Sequence, residues 1–106
     1  LLPAFFEGDP GASALADTYV RKPLLSRQGA NIEIIQDGKT QFHSDGPYAE
    51  TDHIVQGFHA LPEYNGNYPL VGCWLVASKA AGLCIREDRS LVTGKDARFV
   101  PHVILD

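Results

Sequence analysis

Turn-forming residues interrupt this chain so often that a helical bundle is not expected. Ten glycines and seven prolines are spread over 106 residues, and runs of β-forming residues lie between them. Glycine and proline disfavour helix interiors and mark turns. Because the connections are short, neighbouring strands should be antiparallel. The pattern predicts an α+β fold that is mainly antiparallel sheet, with few short helices.

The dipeptide Asp37-Gly38 marks the clearest hairpin. It separates the β-rich runs Asn31–Gln36 and Lys39–His43, and Asp-Gly in such a position is a strong hairpin signal. The other predicted elements are a helical turn within Leu1–Phe6, a short helix at Ser13–Ala16, and strands at Thr18–Lys22, His53–His59, Tyr68–Ser78 and Ala81–Arg86. Tyr68–Ser78 is interpreted as a long buried strand, with Trp74 in the core.

Size and charge limit the possible classes of protein. A chain of 106 residues is expected to form a single domain, or a fragment of one, over residues 1–106. The net charge of −4 and pI near 5.4 disfavour nucleic acid as a partner. The longest apolar run, Leu70–Ala77, is far shorter than the roughly 20 residues of a membrane helix, so no membrane partner is expected.

The cysteines and histidines do not predict a metal site. Cys73 and Cys84 lie in apolar surroundings and are interpreted as buried free thiols in a reducing cytosol, which predicts a cytoplasmic protein. The four histidines show no spacing typical of zinc ligands. No metal-binding residues are therefore assigned.

Three cationic side chains are candidates for binding an anion. Lys22 ends a predicted strand before Pro23, Arg27 lies in the glycine-containing loop Ser26–Asn31, and Arg86 ends another strand. A glycine loop between strands can bring backbone amides close to phosphate oxygens. The alternatives remain open: each cation can be a solvated surface charge, Arg86 can form a surface salt bridge with Glu87, and the loop can be a turn without a ligand.

Several motifs in sequence order resemble the C-terminal part of the glutathionylspermidine synthase family. They are YVRKPLLSRQGANIEII, HIVQGFHALPEYNGNYPLVGCWLV and AAGLCIREDRSLVTG, which together cover most of residues 18–94. The resemblance implies an ATP-grasp fold and an ATP-dependent ligase that joins a carboxylate to an amine through an acyl phosphate. It implies ATP and Mg²⁺ as cofactors, and a carboxylate such as glutathione and a polyamine-like amine as substrates.

The same resemblance assigns roles to individual positions. It implies that Lys22 contacts the nucleotide phosphates and that Arg86 is catalytic, steadying the phosphoryl group during transfer. The other nucleotide-binding residues that it implies are Arg27, Gly29 and Asn31 in a phosphate-covering loop, and Gln56 and Phe58 at the strand end that holds the adenine.

The sequence contains no methionine and begins at Leu1, so a fragment of a longer ligase is expected. The magnesium ligands of the family lie upstream of the matching region, and the isolated chain is expected to be inactive. An exposed sheet face or edge would favour self-association or binding of the missing part. The alternative function is a non-catalytic β-rich binding or scaffolding module.

Overall fold

The computed structural model describes residues 1–105, which belong to two compact units, Leu1–His59 and Ala60–Asp106. Within the described residues, all strand pairs are antiparallel and the helical content is one short 3-10 helix. The predicted α+β class, mainly antiparallel sheet with few short helices, is confirmed. No helix in this part of the chain has the length and apolar character needed to cross a membrane.

The first unit is built on a five-stranded sheet with the strand order β1-β5-β2-β3-β4. Its strands are β1 Ala4–Phe6, β2 Tyr19–Pro23, β3 Glu33–Gln36, β4 Lys39–His43 and β5 His53–Gly57. The predicted helical turn at Leu1–Phe6 is wrong, because the apolar residues of this segment pair with β5 as an edge strand. Periodicity cannot distinguish helix from strand in so short an apolar run.

The β3–β4 hairpin forms at the predicted dipeptide. Asp37 and Gly38 both have positive φ, 52° and 70°, as a two-residue type I′ turn requires. A β-bulge between Ile34 and Ile35 shifts the register of the hairpin. The predicted hairpin is therefore confirmed, and the bulge is an addition that the sequence pattern did not indicate.

The core of the first unit is small. Ile34, Ile35 and Val55 are its buried apolar residues, at 3%, 9% and 7% exposure. The 3-10 helix Pro10–Leu15 follows β1 and is capped by Asp9, whose carboxylate accepts the Gly11 N–H at 2.7 Å. It overlaps the predicted helix at 13–16 but begins earlier, since proline is well suited to the first position of a helix.

The second unit contains the three-stranded sheet β6 Tyr68–Val76, β7 Lys79–Asp88 and β8 Arg98–Val100, in that order. The long strand at residues 68–78 exists, but its predicted burial is wrong. Trp74 is 66% exposed, and Cys73 is exposed as well. Within the described part of this unit there is no helix or second sheet to cover the three strands, so apolar side chains remain on the surface.

Candidate functional site

Two residues of the predicted site meet on the first sheet. The side-chain ammonium of Lys22, on β2, donates a hydrogen bond to Oε1 of Gln56, on β5, at 2.7 Å. The register pairs Lys22 with Ile54 and Val20 with Gln56, so Lys22 and Gln56 are diagonal neighbours on one face. They are 34 positions apart in sequence, and only the antiparallel β2–β5 pairing brings them together.

Apolar residues share the face that carries Lys22 and Gln56. Strand alternation and register place Val20, Ile34 and Ile54 on it with the lysine. Lys22 and Gln56 are both half-buried. A lysine ammonium has three N–H donors, and the bond to Gln56 uses one of them. Lys22 is therefore a fixed, partly dehydrated cation with two N–H donors to spare. Such a group suits an anionic ligand that also has an apolar part.

The glycine-containing loop supplies a second cation. Arg27 is exposed, and with Leu25, Ser26 and Tyr48 it lines an open depression. Gln28 and Gly29 follow with φ of 58° and 73°, both in the left-handed region. The structure thus leaves the Arg27 side chain on the surface, beside a loop whose backbone turns sharply.

Asn31 has a structural contact in this loop. It is 9% exposed, and its side-chain oxygen accepts the backbone N–H of Tyr48 at 2.9 Å. A Cβ at Gly46 would clash with that oxygen, so only glycine allows the two segments to approach so closely. Asn31 therefore holds the loop before Tyr48 in place.

Ser44 is a loop anchor that the sequence analysis missed. Its hydroxyl donates to the carbonyl of Gly29 at 2.6 Å and accepts the N–H of Ile32 at 2.9 Å. It follows β4 directly, but a serine after a strand is too common to indicate this role. Its effect is to fasten the glycine loop to the end of the β3–β4 hairpin.

Phe58 lies immediately after β5 and is half-buried. Between it and Gln56, the N–H of Gly57 donates to the carbonyl of Pro3 at 2.9 Å. A Cβ at Gly57 would lie 3.4 Å from the Pro3 ring. The end of β5 is therefore held by the N-terminal segment, and Phe58 continues from it.

Arg86 belongs to the second unit, on β7. Register places it between Leu70 of β6 and Phe99 of β8 on one face. Its guanidinium donates to the carbonyl of Gly94 at 2.9 Å and lies 5.7 Å from the centroid of the Phe99 ring. Its Nε is buried and has no hydrogen-bond partner within residues 1–105. A guanidinium has five N–H donors and the bond to Gly94 uses one of them, so its terminal nitrogens can still bind an oxyanion.

The expected alternative, a salt bridge between Arg86 and Glu87, does not form. Adjacent residues on a strand point to opposite faces, and the Glu87 carboxylate instead pairs with Arg98 at 2.8 Å. Around Arg86 an open cavity of about 350 Å³ is lined by Leu70, Gly72, Cys73, Trp74, Cys84 and Phe99. Trp74, expected in the core, is part of this open surface.

Asp88 is an electrostatic feature that the sequence analysis did not single out. Its carboxylate accepts the backbone N–H groups of Gly94 at 2.9 Å and of Ser90 at 3.1 Å. The hydrogen bond from Gly94 is the largest cause of a lowered pKa for this carboxyl, and the nearby Arg86 charge lowers the pKa further. Asp88 is therefore a firmly ionised acceptor close to Arg86.

The described residues contain no group of three or more His, Cys, Asp or Glu side chains arranged to hold a metal ion. Lys22, Gln56, Phe58 and the glycine loop lie in the first unit, and Arg86 lies in the second. Each unit thus carries a separate part of the predicted site.

Comparisons with known proteins give a family match and several similar proteins. The family described as "Glutathionylspermidine synthase preATP-grasp" matches residues 1–105. Similar proteins are an acid–amine ligase of Haemophilus influenzae, 36% identical over 96% of this chain, and the trypanothione synthetase of Crithidia fasciculata, 37% identical over 76% of it. The bifunctional glutathionylspermidine synthetase/amidase of Escherichia coli is 31% identical over 82% of the chain.

These relatives are named as ligases and synthetases, the class of enzymes that join two molecules. The chain belongs to the glutathionylspermidine synthase family. It spans 27% of the Haemophilus protein, 13% of the Crithidia protein and 14% of the Escherichia protein.

Proposed function

We propose that these residues form part of the ATP site of an ATP-grasp ligase that joins a carboxylate to an amine. The observation that supports the proposal most is the Lys22 ammonium, held at 2.7 Å by Gln56 on a half-buried apolar face. A nucleotide combines an apolar base with anionic phosphates. A fixed ammonium on an apolar sheet face suits both parts of such a ligand.

In this proposal the residues of the first unit bind the nucleotide. Lys22 donates to the phosphates, and Gln56 and Phe58 at the end of β5 contact the adenine. The loop carrying Arg27, Gly29 and Asn31 covers the phosphates, with Arg27 as its exposed cation. Ser44 and Asn31 fasten this loop at its base, which reduces the entropy lost when the loop closes on a ligand.

Arg86 is the proposed catalytic residue. In the proposed reaction the carboxylate takes the γ-phosphoryl group of ATP with release of ADP. The amine then attacks the acyl phosphate and displaces inorganic phosphate. Phosphoryl transfer depends on charge stabilisation and positioning more than on covalent help from the protein. The bond to Gly94 uses one of the five N–H donors of the Arg86 guanidinium, which leaves other donors for the transferring group. A guanidinium binds phosphate oxygens in a fixed planar geometry.

Mg²⁺ is part of the proposal, but the described residues do not fit a magnesium site, since no cluster of acidic side chains is found among them. Asp88 already accepts two backbone N–H groups. We therefore assign no role in Mg²⁺ binding to residues 1–105. The isolated 106-residue chain is accordingly expected to show no ligase turnover.

The names of the relatives suggest the substrates. One relative is named for glutathionylspermidine and another for trypanothione. We propose glutathione as the carboxylate substrate and a polyamine such as spermidine as the amine, acting in the cytoplasm. The test compares the release of phosphate from ATP with each acid and each amine omitted in turn.

The roles of Lys22 and Arg86 are tested in the complete gene product that carries this segment. Arg86→Ala should lower kcat by about 10²–10³, the cost typical of losing one preorganised electrostatic contact. Lys22→Met should instead raise KM for ATP, because Lys22 is proposed to contact the phosphates in the ground state as well as in the transition state. The measurement is ATP-dependent amide formation under steady-state conditions.

Arg98→Ala is the matched control for Arg86→Ala, since Arg98 is on the neighbouring strand and pairs with Glu87. Its kcat should stay within about twofold of the unmodified protein, because exposed ion pairs contribute little. Full activity of Arg86→Ala would contradict the proposal and favour a non-catalytic binding or scaffolding module.

A further inference from the structure

Side chains of β7 form hydrogen bonds with both the backbone N–H and the backbone carbonyl of Gly94. Its N–H donates to the Asp88 carboxylate at 2.9 Å, and its carbonyl accepts from the Arg86 guanidinium at 2.9 Å. Arg86 and Asp88 are two positions apart on the strand, so both project from the same face. The two charged side chains are therefore linked through a single loop residue.

The Asp88 carboxylate uses both of its oxygens on this loop. One oxygen accepts from Gly94 and the other from Ser90, at 3.1 Å. The Ser90 hydroxyl in turn accepts the N–H of Val92 at 3.4 Å. These bonds close residues 88–94 into a turn fixed at both ends, so the position of the Gly94 carbonyl is determined by Asp88.

That carbonyl is a direct constraint on the Arg86 guanidinium. Arg86 has a further contact with the Phe99 ring, 5.7 Å from the guanidinium carbon, and Phe99 is 73% exposed. Contact with an exposed aromatic ring restrains a guanidinium less than a hydrogen bond to an anchored carbonyl does. The hydrogen bond to the anchored carbonyl then fixes the orientation of the guanidinium and of its remaining terminal donors.

We propose that Asp88 is a positioning residue, which orients Arg86 for phosphoryl transfer by fixing Gly94. This inference rests on the catalytic role proposed for Arg86. Asp88 does not contact the reacting groups in this scheme. Its contribution is to hold the guanidinium in place, and a displacement of about 1 Å in such a group can cost on the order of 10² in rate.

The charges around Asp88 suit this role. The hydrogen bond from Gly94 and the charge of Arg86 hold the pKa of Asp88 below its ordinary value, so the carboxylate is ionised near neutral pH. A depression beside it is lined also by Glu87, Arg89, Asp96 and Arg98. Glu87 and Arg98 neutralise each other at 2.8 Å, and Asp96 pairs with Lys95 at 2.8 Å, so Asp88 has no competing salt bridge within residues 1–105.

The test is a double-mutant cycle in the complete gene product, with kcat and KM for ATP measured for Asp88→Ala, Arg86→Ala and the double variant. Asp88→Ala should lower kcat by roughly 10- to 100-fold and leave KM for ATP within about twofold. In the Arg86→Ala background the same substitution should have no further effect, because the group that it positions is gone. Asp96→Asn, in the same loop, is the control and should retain kcat.

Asp88→Asn keeps an oxygen that can accept one of the two N–H groups, so this variant should retain more activity than Asp88→Ala. It tests the same role if Asp88→Ala does not fold. An equal loss from Asp88→Ala in both backgrounds would overturn the positioning role and indicate a general structural one. If Arg86→Ala loses activity and Asp88→Ala does not, the inference fails while the proposed function stands. If Arg86→Ala is fully active, the proposed function itself fails.

Discussion

At the scale of single residues, the ion pair between Glu7 and Arg21 links the end of β1 to β2. Arg21 donates to both oxygens of Glu7, at 2.6 and 3.0 Å, and to Glu33 at 3.2 Å. The hydrogen bond from Arg21 is the main cause of a lowered pKa for Glu7, below its ordinary value of 4.5. Arg21 thus fixes the segment that leads into the 3-10 helix.

Acid should therefore weaken this contact. A carboxyl whose pKa is lowered by folding stabilises the fold above its unfolded-state pKa, and that stabilisation disappears as the pH falls through the folded-state pKa. Glu7→Gln should lower the free energy of unfolding at pH 7 by at most about 1 kcal/mol, since the pair is half-exposed and screened by solvent. Urea unfolding should show this difference shrinking as the pH falls below 4.5, the ordinary pKa of the carboxyl, and a constant difference would contradict the assignment.

Features at the scale of single residues could be predicted from the sequence where they depend on neighbouring residues, and not where they depend on distant ones. Asp37-Gly38 and its hairpin could be predicted, because turn conformation depends on the two residues themselves. Lys22 could be selected as a candidate cation, but its partner Gln56 follows only from the β2–β5 register. The Asp88–Gly94–Arg86 arrangement could not be predicted either, because it depends on the path of a loop that has no sequence signature.

At the scale of elements, the β3–β4 hairpin depends on the backbone freedom of Gly38. Its φ is 70°, and nothing lies within 4 Å of where a Cβ would be placed, so only the conformational cost opposes a side chain. Gly38→Ala should destabilise the first unit by about 1 kcal/mol. Gly38→Asn should cost less than half as much, since asparagine tolerates the left-handed region, and chemical denaturation of both variants measures the difference.

The limits of prediction are also visible in whole elements. Strands β2 to β7 lie within a few residues of their predicted bounds, because β-rich runs between turn residues carry that information locally. The prediction of a helical turn is wrong for β1, and the prediction of burial is wrong for β6. The first error reflects a short apolar run, and the second reflects a sheet that lacks a covering layer within its own unit.

At the scale of the whole molecule, the second unit exposes an unusual amount of apolar surface. Val71, Trp74, Leu75 and Val76 of the edge strand β6 are each 58–69% exposed. A long apolar edge strand offers both unpaired backbone groups and an apolar face to another chain. We expect the 106-residue chain to self-associate through this strand.

Sedimentation should show a weight-average mass that rises with concentration. Replacing Trp74 and Val76 together by lysine should shift this rise to higher concentration, because it places charge on the exposed strand. Leu25→Lys, which changes an exposed apolar residue in the other unit, should leave the association unchanged. A chain that stays monomeric at all concentrations would contradict the expectation.

The contact between Lys22 and Gln56 has a consequence for the order of folding. The two residues close a loop of 34 positions, and that loop contains the whole β3–β4 hairpin. Local hairpins form quickly, whereas contacts between distant positions carry a larger entropic barrier and form late. If Lys22 binds phosphate as proposed, this affinity should therefore arise only in the last stage of refolding, so that bound nucleotide would report completion of the sheet and not its early intermediates.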